Sequence, residues 1–246
     1  MRRLYHCIAY YLSWFAFGAV GLLLNLCCAC LLPLPGRERR APGVRRMIRR
    51  LFDLWVRWFH ASRVLEIRWV GFNRELPAGT VYIANHPSLL DATFLLARLP
   101  DAFCIFKPAL MRNPAIGPAA IMARYVAGDN AVDVVRGAAE RVAAGQSLLV
   151  FPEGTRTLPG TVVGTLRPGF ELIARRAKAP VQLVIIRASE GLVPRGRHWL
   201  LPPTVLPAWI ELTLDRRWEA GDLAETRDSV REVEARIREV LAPGRA

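Results

Sequence analysis

Val81-Tyr82-Ile83-Ala84-Asn85-His86-Pro87-Ser88-Leu89-Leu90-Asp91 decides how this chain folds. Four apolar residues make a short buried run that stops at Asn85 and His86, the signature of a strand end. Pro87 suits the first turn of a helix, and Asp91 falls one turn further in. Ser88 is placed to cap that helix rather than to act as a nucleophile. Strand, exposed His, helix is the unit of an α/β fold, and in such folds functional side chains collect at the carboxyl ends of strands.

The same alternation continues outward. Apolar runs at Leu65–Val70, Val81–Ala84, Phe103–Phe106, Ser147–Phe151 and Val181–Ile186 are separated by helical patterns at Leu89–Leu99, Val132–Ala144, Pro168–Ala177 and Arg227–Leu241. This order predicts an α/β domain over residues 64–246, with a largely parallel sheet flanked by helices. No internal repeat interrupts it.

Toward the N-terminus the composition changes. Leu4 to Leu32 is a run of 29 residues without Asp, Glu, Lys or Arg. A membrane span needs about 20 apolar residues, and the apolar core of a cleaved signal peptide about 7–15. Residues 1–36 are therefore expected to hold a retained membrane segment and a linker. As one helix the run would measure roughly 43 Å against a hydrocarbon core of roughly 30 Å. It would tilt, break near Gly18 and Gly21, or re-enter. Arg2 and Arg3 precede it, whereas Arg37, Arg39, Arg40, Arg45, Arg46, Arg49 and Arg50 follow it. The heavier side is normally cytoplasmic, which places the rest of the chain on the cytoplasmic face of the inner membrane. Pro33, Pro35, Gly36, Pro42 and Gly43 mark the linker.

Residues 37–63 then read as an Arg-rich amphipathic helix. Val44, Met47, Ile48, Leu51, Trp55, Trp58 and Phe59 share one face, and Arg46, Arg49, Arg50, Asp53, Arg57 and His60 the other. Aromatics on the apolar side and arginines opposite suit a helix lying among lipid headgroups, with an anionic membrane surface as partner.

The net charge of +13 supports that placement. Through Val70 there are twelve Arg and three acids, leaving +9. The remaining 22 basic and 18 acidic residues leave only +4. A nucleic-acid partner would require a basic surface without an apolar segment beside it, so none is expected. Four of five cysteines (Cys7, Cys27, Cys28, Cys30) lie in the apolar run and Cys104 stands alone. That pattern makes no disulfide framework, and its spacing is too tight for a zinc site. No metal is expected.

A second strand end carries further chemistry: Leu148-Leu149-Val150 runs into Phe151-Pro152-Glu153-Gly154-Thr155-Arg156-Thr157. Gly154 permits a tight turn, and Arg156 offers a planar fork for phosphate or carboxylate. Glu153 could orient that Arg or bind a hydroxyl. At the first strand end, His86 can accept a proton from a hydroxyl, while Asp91 fixes its tautomer.

NHPSLLD, an Asn-His-x4-Asp pattern, followed by FPEGTRT resembles the glycerolipid acyltransferase family, which includes the lysophosphatidic acid acyltransferases. The resemblance spans roughly Val64 to Trp218. It implies an α/β acyltransferase fold and a membrane-bound O-acyltransferase. That enzyme would move a fatty acyl group from acyl-CoA or acyl-carrier protein to a lipid hydroxyl. The acceptor would be 1-acylglycerol 3-phosphate and the product phosphatidate. The acyl donor is a co-substrate, and no cofactor is implied. By the same resemblance His86 is the general base and Asp91 its partner. Glu153, Gly154, Thr155 and Arg156 lie at the acceptor-phosphate site, with Arg167 and Lys107 as further candidate ligands. Two family features are altered. Asp129 is followed by Asn130 where an Arg is usual, which leaves Arg124 or Arg136 as substitutes. A Pro-x-x-Pro pattern keeps Pro180 but has Leu183 at its second place. The altered Asp129 position keeps a non-phosphate acceptor, such as a lyso-aminolipid or glycolipid, as the alternative.

Overall fold

The computed structural model describes residues 2–189, 192–222 and 226–242. Its centre is a seven-stranded sheet. The strands are β1 (Leu65–Val70), β2 (Val81–Ala84), β3 (Ala102–Phe106), β4 (Val126–Ala127), β5 (Ser147–Val150), β6 (Val181–Ala188) and β7 (Ala208–Trp218). They lie in the order β1-β7-β6-β2-β5-β3-β4. Five neighbouring pairs are parallel, and only β6 and β7 run antiparallel. Central β2 is buried along its whole length, as expected of a strand covered on both faces. The covering helices are α3 (Asp91–Arg98), α6 (Ala131–Ala143), α7 (Gly169–Ala177) and α8 (Thr226–Leu241). Two short ones, α4 (Pro108–Met111) and α5 (Gly117–Met122), follow β3.

The largely parallel α/β reading holds, and the five anticipated strands are all present. β7 is an addition. Ala208, Ile210 and Leu212 are buried and alternate with Trp209, Glu211 and Thr213, the period-2 pattern of a strand. Its long register against both β1 and β6 joins an otherwise isolated β1 to the sheet.

Two long helices precede the sheet. α1 (Arg2–Leu31) is one helix of 30 residues and runs unbroken through Gly18 and Gly21. It is long and apolar enough to cross a membrane by length and composition. Its polar residues Ser13 and Asn25 face the protein. Ser13 is fully buried and its hydroxyl accepts from Trp58 Nε1 at 2.8 Å, while Asn25 Oδ1 accepts from Ala119 N at 2.9 Å. Tyr10 is buried with them. The opposite side exposes Leu4, Ile8, Leu12, Phe15, Leu22, Leu23 and Leu26.

α2 (Arg37–Ala61) corrects the expected linker, because Pro42 and Gly43 lie inside the helix and the connection is only residues 32–36. Gly36, at φ 83, makes the turn that lets the chain reverse. The helix divides its surface into three strips rather than two. Ala41, Arg45, Ile48, Trp55, Val56 and Phe59 pack into the domain. Met47, Leu54 and Trp58 form an exposed apolar strip, and Arg46, Arg50 and Arg57 are exposed beside it. Arg45 is not a headgroup ligand. It is buried, donates two bonds to Asp101 at 2.7 and 3.0 Å, and donates a third to the Ala123 carbonyl. α1, α2 and the sheet thus share one continuous hydrophobic core.

Candidate active site

β2 and β5 are adjacent and parallel, so the loops after both open on the same edge of the sheet. That topology brings together two motifs 67 residues apart. The His86 N–H donates to Glu153 Oε1 at 3.1 Å, and the Thr157 N–H donates to the His86 carbonyl at 2.8 Å. The strand end before His86 is locked by Asn85, whose amide group exchanges two bonds of 2.8 Å with the backbone of Ile186 in β6.

His86 is the half-buried centre. Its Nδ1 lies 2.9 Å from Asp91 Oδ2, and its ring stacks on Phe151 with centroids 4.0 Å apart. Asp91 opens α3, is fully buried, and also accepts from the Ser88 N–H at 2.8 Å. Burial pushes its carboxyl above the ordinary range, and the bonds from His86 and Ser88 pull it back. Among the described residues no group bonds His86 Nε2, so this nitrogen faces the open edge. The arrangement is a histidine with one nitrogen tied to a carboxylate and the other available for a proton. Ser88 is fully buried and its hydroxyl accepts from the Leu90 N–H at 3.2 Å, a turn bond ahead of α3 rather than the expected helix cap, because the N-cap position is Leu90.

Glu153 is placed differently from the expectation. Its carboxylate is buried and accepts from the His86 N–H, the Thr157 hydroxyl at 2.7 Å and the Gly164 N–H at 2.9 Å. These three bonds occupy both oxygens, and Glu153 neither orients Arg156 nor faces a ligand. It is a strut between the two loops. Arg156 is instead anchored through Nη1 by the carbonyls of Val193 at 3.2 Å and Pro194 at 2.9 Å. Gly154 has φ 67, and the guanidinium of Arg167 lies 3.3 Å from where a Cβ would stand. The positive φ favours glycine there, and a Cβ would press on the exposed Arg167 side chain. Thr155 and Arg167 are exposed, and so is Lys107, which follows β3, the strand beside β5, on the same edge.

The anticipated substitutes do not join this group. Arg124 precedes β4, at the opposite edge, and pairs with Glu38. Arg136 pairs with Asp133 on exposed α6. Asn130 caps α6 by accepting from the Val132 N–H at 2.9 Å. Phe151, Asn85 and Thr157 were not read as functional from sequence. Only the motif context of each gave any hint, because stacking and strand clamping need the partner strand.

The acyltransferase family model matches residues 70–187, a stretch that contains both loops. A chloroplastic 1-acyl-sn-glycerol-3-phosphate acyltransferase of Brassica napus is 31% identical over 126 residues, covering 49% of this chain and 36% of that protein. One from Arabidopsis thaliana is 29% identical over 126 residues, covering 49% and 35%. The chain thus spans about a third of the length of these curated relatives. The crystal structure of the 1-acyl-sn-glycerophosphate acyltransferase PlsC from Thermotoga maritima superposes with a TM-score of 0.71 at 20% identity. That superposition covers 100% of this chain and 98% of the other, so the two long helices are part of the shared fold. The acyltransferase model match and the curated relatives make the central half of this chain similar to the glycerolipid acyltransferases, and the superposition shows that it has the same fold.

Proposed function

We propose that the protein is a membrane-bound O-acyltransferase that acylates the free hydroxyl of 1-acylglycerol 3-phosphate to give phosphatidate. The observation that carries this reading is the bond from the His86 N–H to Glu153, which holds a proton acceptor and an arginine-bearing loop on one edge. The acceptor hydroxyl lies against His86 Nε2. As its oxygen attacks the thioester carbonyl of acyl-CoA or acyl-carrier protein, the imidazole takes the proton, and buried Asp91 stabilises the imidazolium. The tetrahedral intermediate collapses, the C–S bond breaks, and the proton passes to the thiolate. The products are an ester and a free thiol. Arg156, Arg167 and Lys107 supply positive charge for the acceptor phosphate, and the two motif carboxylates do not compete with them, because Glu153 and Asp91 are both engaged. The exposed apolar faces of α1 and α2 hold the protein on the cytoplasmic face of the inner membrane, where the acceptor resides.

The test supplies the full chain in vesicles with lysophosphatidate and either donor. His86→Ala is expected to abolish turnover with the fold retained by circular dichroism. No product from either donor with the wild-type chain, or unchanged turnover in the variant, defeats the proposal. A second reading keeps the chemistry and changes the acceptor, and it is favoured by Asp129-Asn130, which puts no arginine after β4. A panel of lysolipids decides: preference for an uncharged or amino-bearing headgroup selects it.

A further inference from the structure

The segment Leu192–Pro207 is the part of the β6–β7 connection that follows Glu190 and Gly191, and it is absorbed by neither motif. Its sequence, LVPRGRHWLLPPTVLP, contains no acidic residue, and it exposes large apolar side chains: Trp199 (41%), Leu200 (41%), Leu201 (52%) and Val205 (62%). Such side chains exposed together call for a covering partner. Arg195, Arg197 and His198 precede them. A tryptophan and leucines beside basic residues match the bilayer interface, where the indole sits at headgroup level and the cations meet phosphates.

Two sets of contacts define where this segment lies. At its tip, Tyr10 of α1 donates its hydroxyl to the carbonyls of Trp199 at 2.6 Å and Leu201 at 3.3 Å, and the Trp14 ring stands 5.0 Å from that of Trp199. The tip is thereby fastened to the flank of the helix that carries the largest exposed apolar face. At its base, the Val193 carbonyl accepts from the Leu89 N–H at 3.1 Å and from Arg156, and the Pro194 carbonyl accepts from Arg156 as well. Val193 is fully buried at φ 44, a conformation that a β-branched residue adopts only when its surroundings impose it.

We propose that residues 192–207 form a third membrane-contacting element. Its tip enters the interface beside α1, and its base seats Arg156. Contact with lipid at Trp199–Leu201 then fixes the position of the guanidinium at the site edge. The occupant is the bilayer interface rather than a protein, because the apolar tip is continuous with the apolar face of α1. The importance of the Arg156 seat rests on the acyl-transfer reading above, whereas the membrane contact does not.

The two parts are tested separately. A nitroxide is placed at Leu200→Cys in the full chain with Cys7, Cys27 and Cys30 replaced by Ala, bound to vesicles of phosphatidylcholine and phosphatidylglycerol. Its collision with oxygen relative to a water-soluble nickel chelate is expected to be several-fold higher than for a label at Leu172→Cys on α7. Equal ratios at the two positions overturn the membrane contact and leave a protein partner as the occupant. For the seat, Leu200→Asp/Leu201→Asp is expected to raise KM for vesicle-borne acceptor roughly tenfold. It should leave a short-chain acceptor dispersed as monomer unaffected. Equal loss on both acceptors, or loss on neither, overturns the coupling. A wild-type chain that turns over neither acceptor would defeat the reaction, with the label result still standing.

Discussion

Glu153 separates what a residue's type says from what its surroundings make of it. A carboxylate in a loop with Gly154 and Arg156 reads as a ligand for a hydroxyl or a partner for the arginine. Three donors instead hold it inside, and one of them is the backbone of His86. A carboxylate facing a substrate phosphate would repel it, so burial as a strut also leaves the edge positive. Glu153→Gln keeps the acceptor for His86 and Thr157 but turns an amide N–H₂ toward the Gly164 N–H. Two donors facing each other in a buried place cost about 1–3 kcal/mol. The loop shifts, and His86 shifts with it. Misplacement on that scale lowers kcat by about 10- to 100-fold. Acceptor KM is expected to stay within a factor of about two, because uniform binding is untouched. Steady-state kinetics check this split. A rise in KM at unchanged kcat would make Glu153 a binding residue after all.

At the scale of elements, the motif-bearing strands were legible because a buried strand is a short apolar run and its end is marked by Asn85-His86-Pro87 or by Pro152 and Gly154. Both site loops followed from that. The partition of α2 was not legible. Its apolar arc is one continuous stretch in sequence, and only the position of α1 and α3 decides that Trp55 and Phe59 pack inward while Leu54 and Trp58 stay outside. Arg45 looked like its neighbours Arg46 and Arg49 until Asp101 was placed beside it. β7 was missed although its alternation was readable, because it follows a long loop and runs against β6. α8 is legible as the helical pattern at Arg227–Leu241, but its tie to β7 is not: a fork from Arg236 to Asp215, with both bonds at 2.7 Å. That fork holds the Asp215 carboxyl below the ordinary range. A depressed carboxylate contributes stability that is present above its unfolded value, about 3.9, and is lost as pH falls through the folded value. Arg236 is a third exposed and screened on that side, so Asp215→Asn is expected to cost only about 1 kcal/mol at pH 7. The gap from wild type should close below pH ~4 as the wild-type carboxylate protonates. Thermal unfolding at pH 7 and pH 3 measures it, and an equal gap at both would mean that packing rather than charge is lost.

For the whole molecule, the +13 of the chain divides between structure and surface. Arg45 is spent inside, and Arg57 and Arg124 pair with Asp53 and Glu38, so part of the excess charge is taken up within the protein. The N-terminal run is likewise more than an anchor. A helix that merely tethers a domain can be removed without cost, but α1 covers the aromatic cluster of α2 and supplies hydrogen-bond acceptors to it. The Trp55 Nε1–H donates to the Ser13 carbonyl at 2.9 Å and the Trp58 Nε1–H to the Ser13 hydroxyl. Phe17 lies 4.5 Å from the Trp55 ring, and Asn25 accepts from the first turns of α5. Deleting residues 2–31 would exchange these bonds for bonds to water and uncover Trp55. Each large side chain returned to solvent costs about 1.5–3 kcal/mol, and each hydrogen bond exchanged for one to water about 0.5–1.5 kcal/mol. The sum approaches the whole stability of a typical domain, about 5–15 kcal/mol. The truncated chain is therefore expected to unfold at least 15 °C below the full chain in the same mild detergent, on the scale of about 2–4 °C per kcal/mol for a domain of this size. It should also fail to yield soluble protein without detergent. Differential scanning calorimetry of the two chains decides the matter: coincident transitions would return α1 to the role of a detachable anchor.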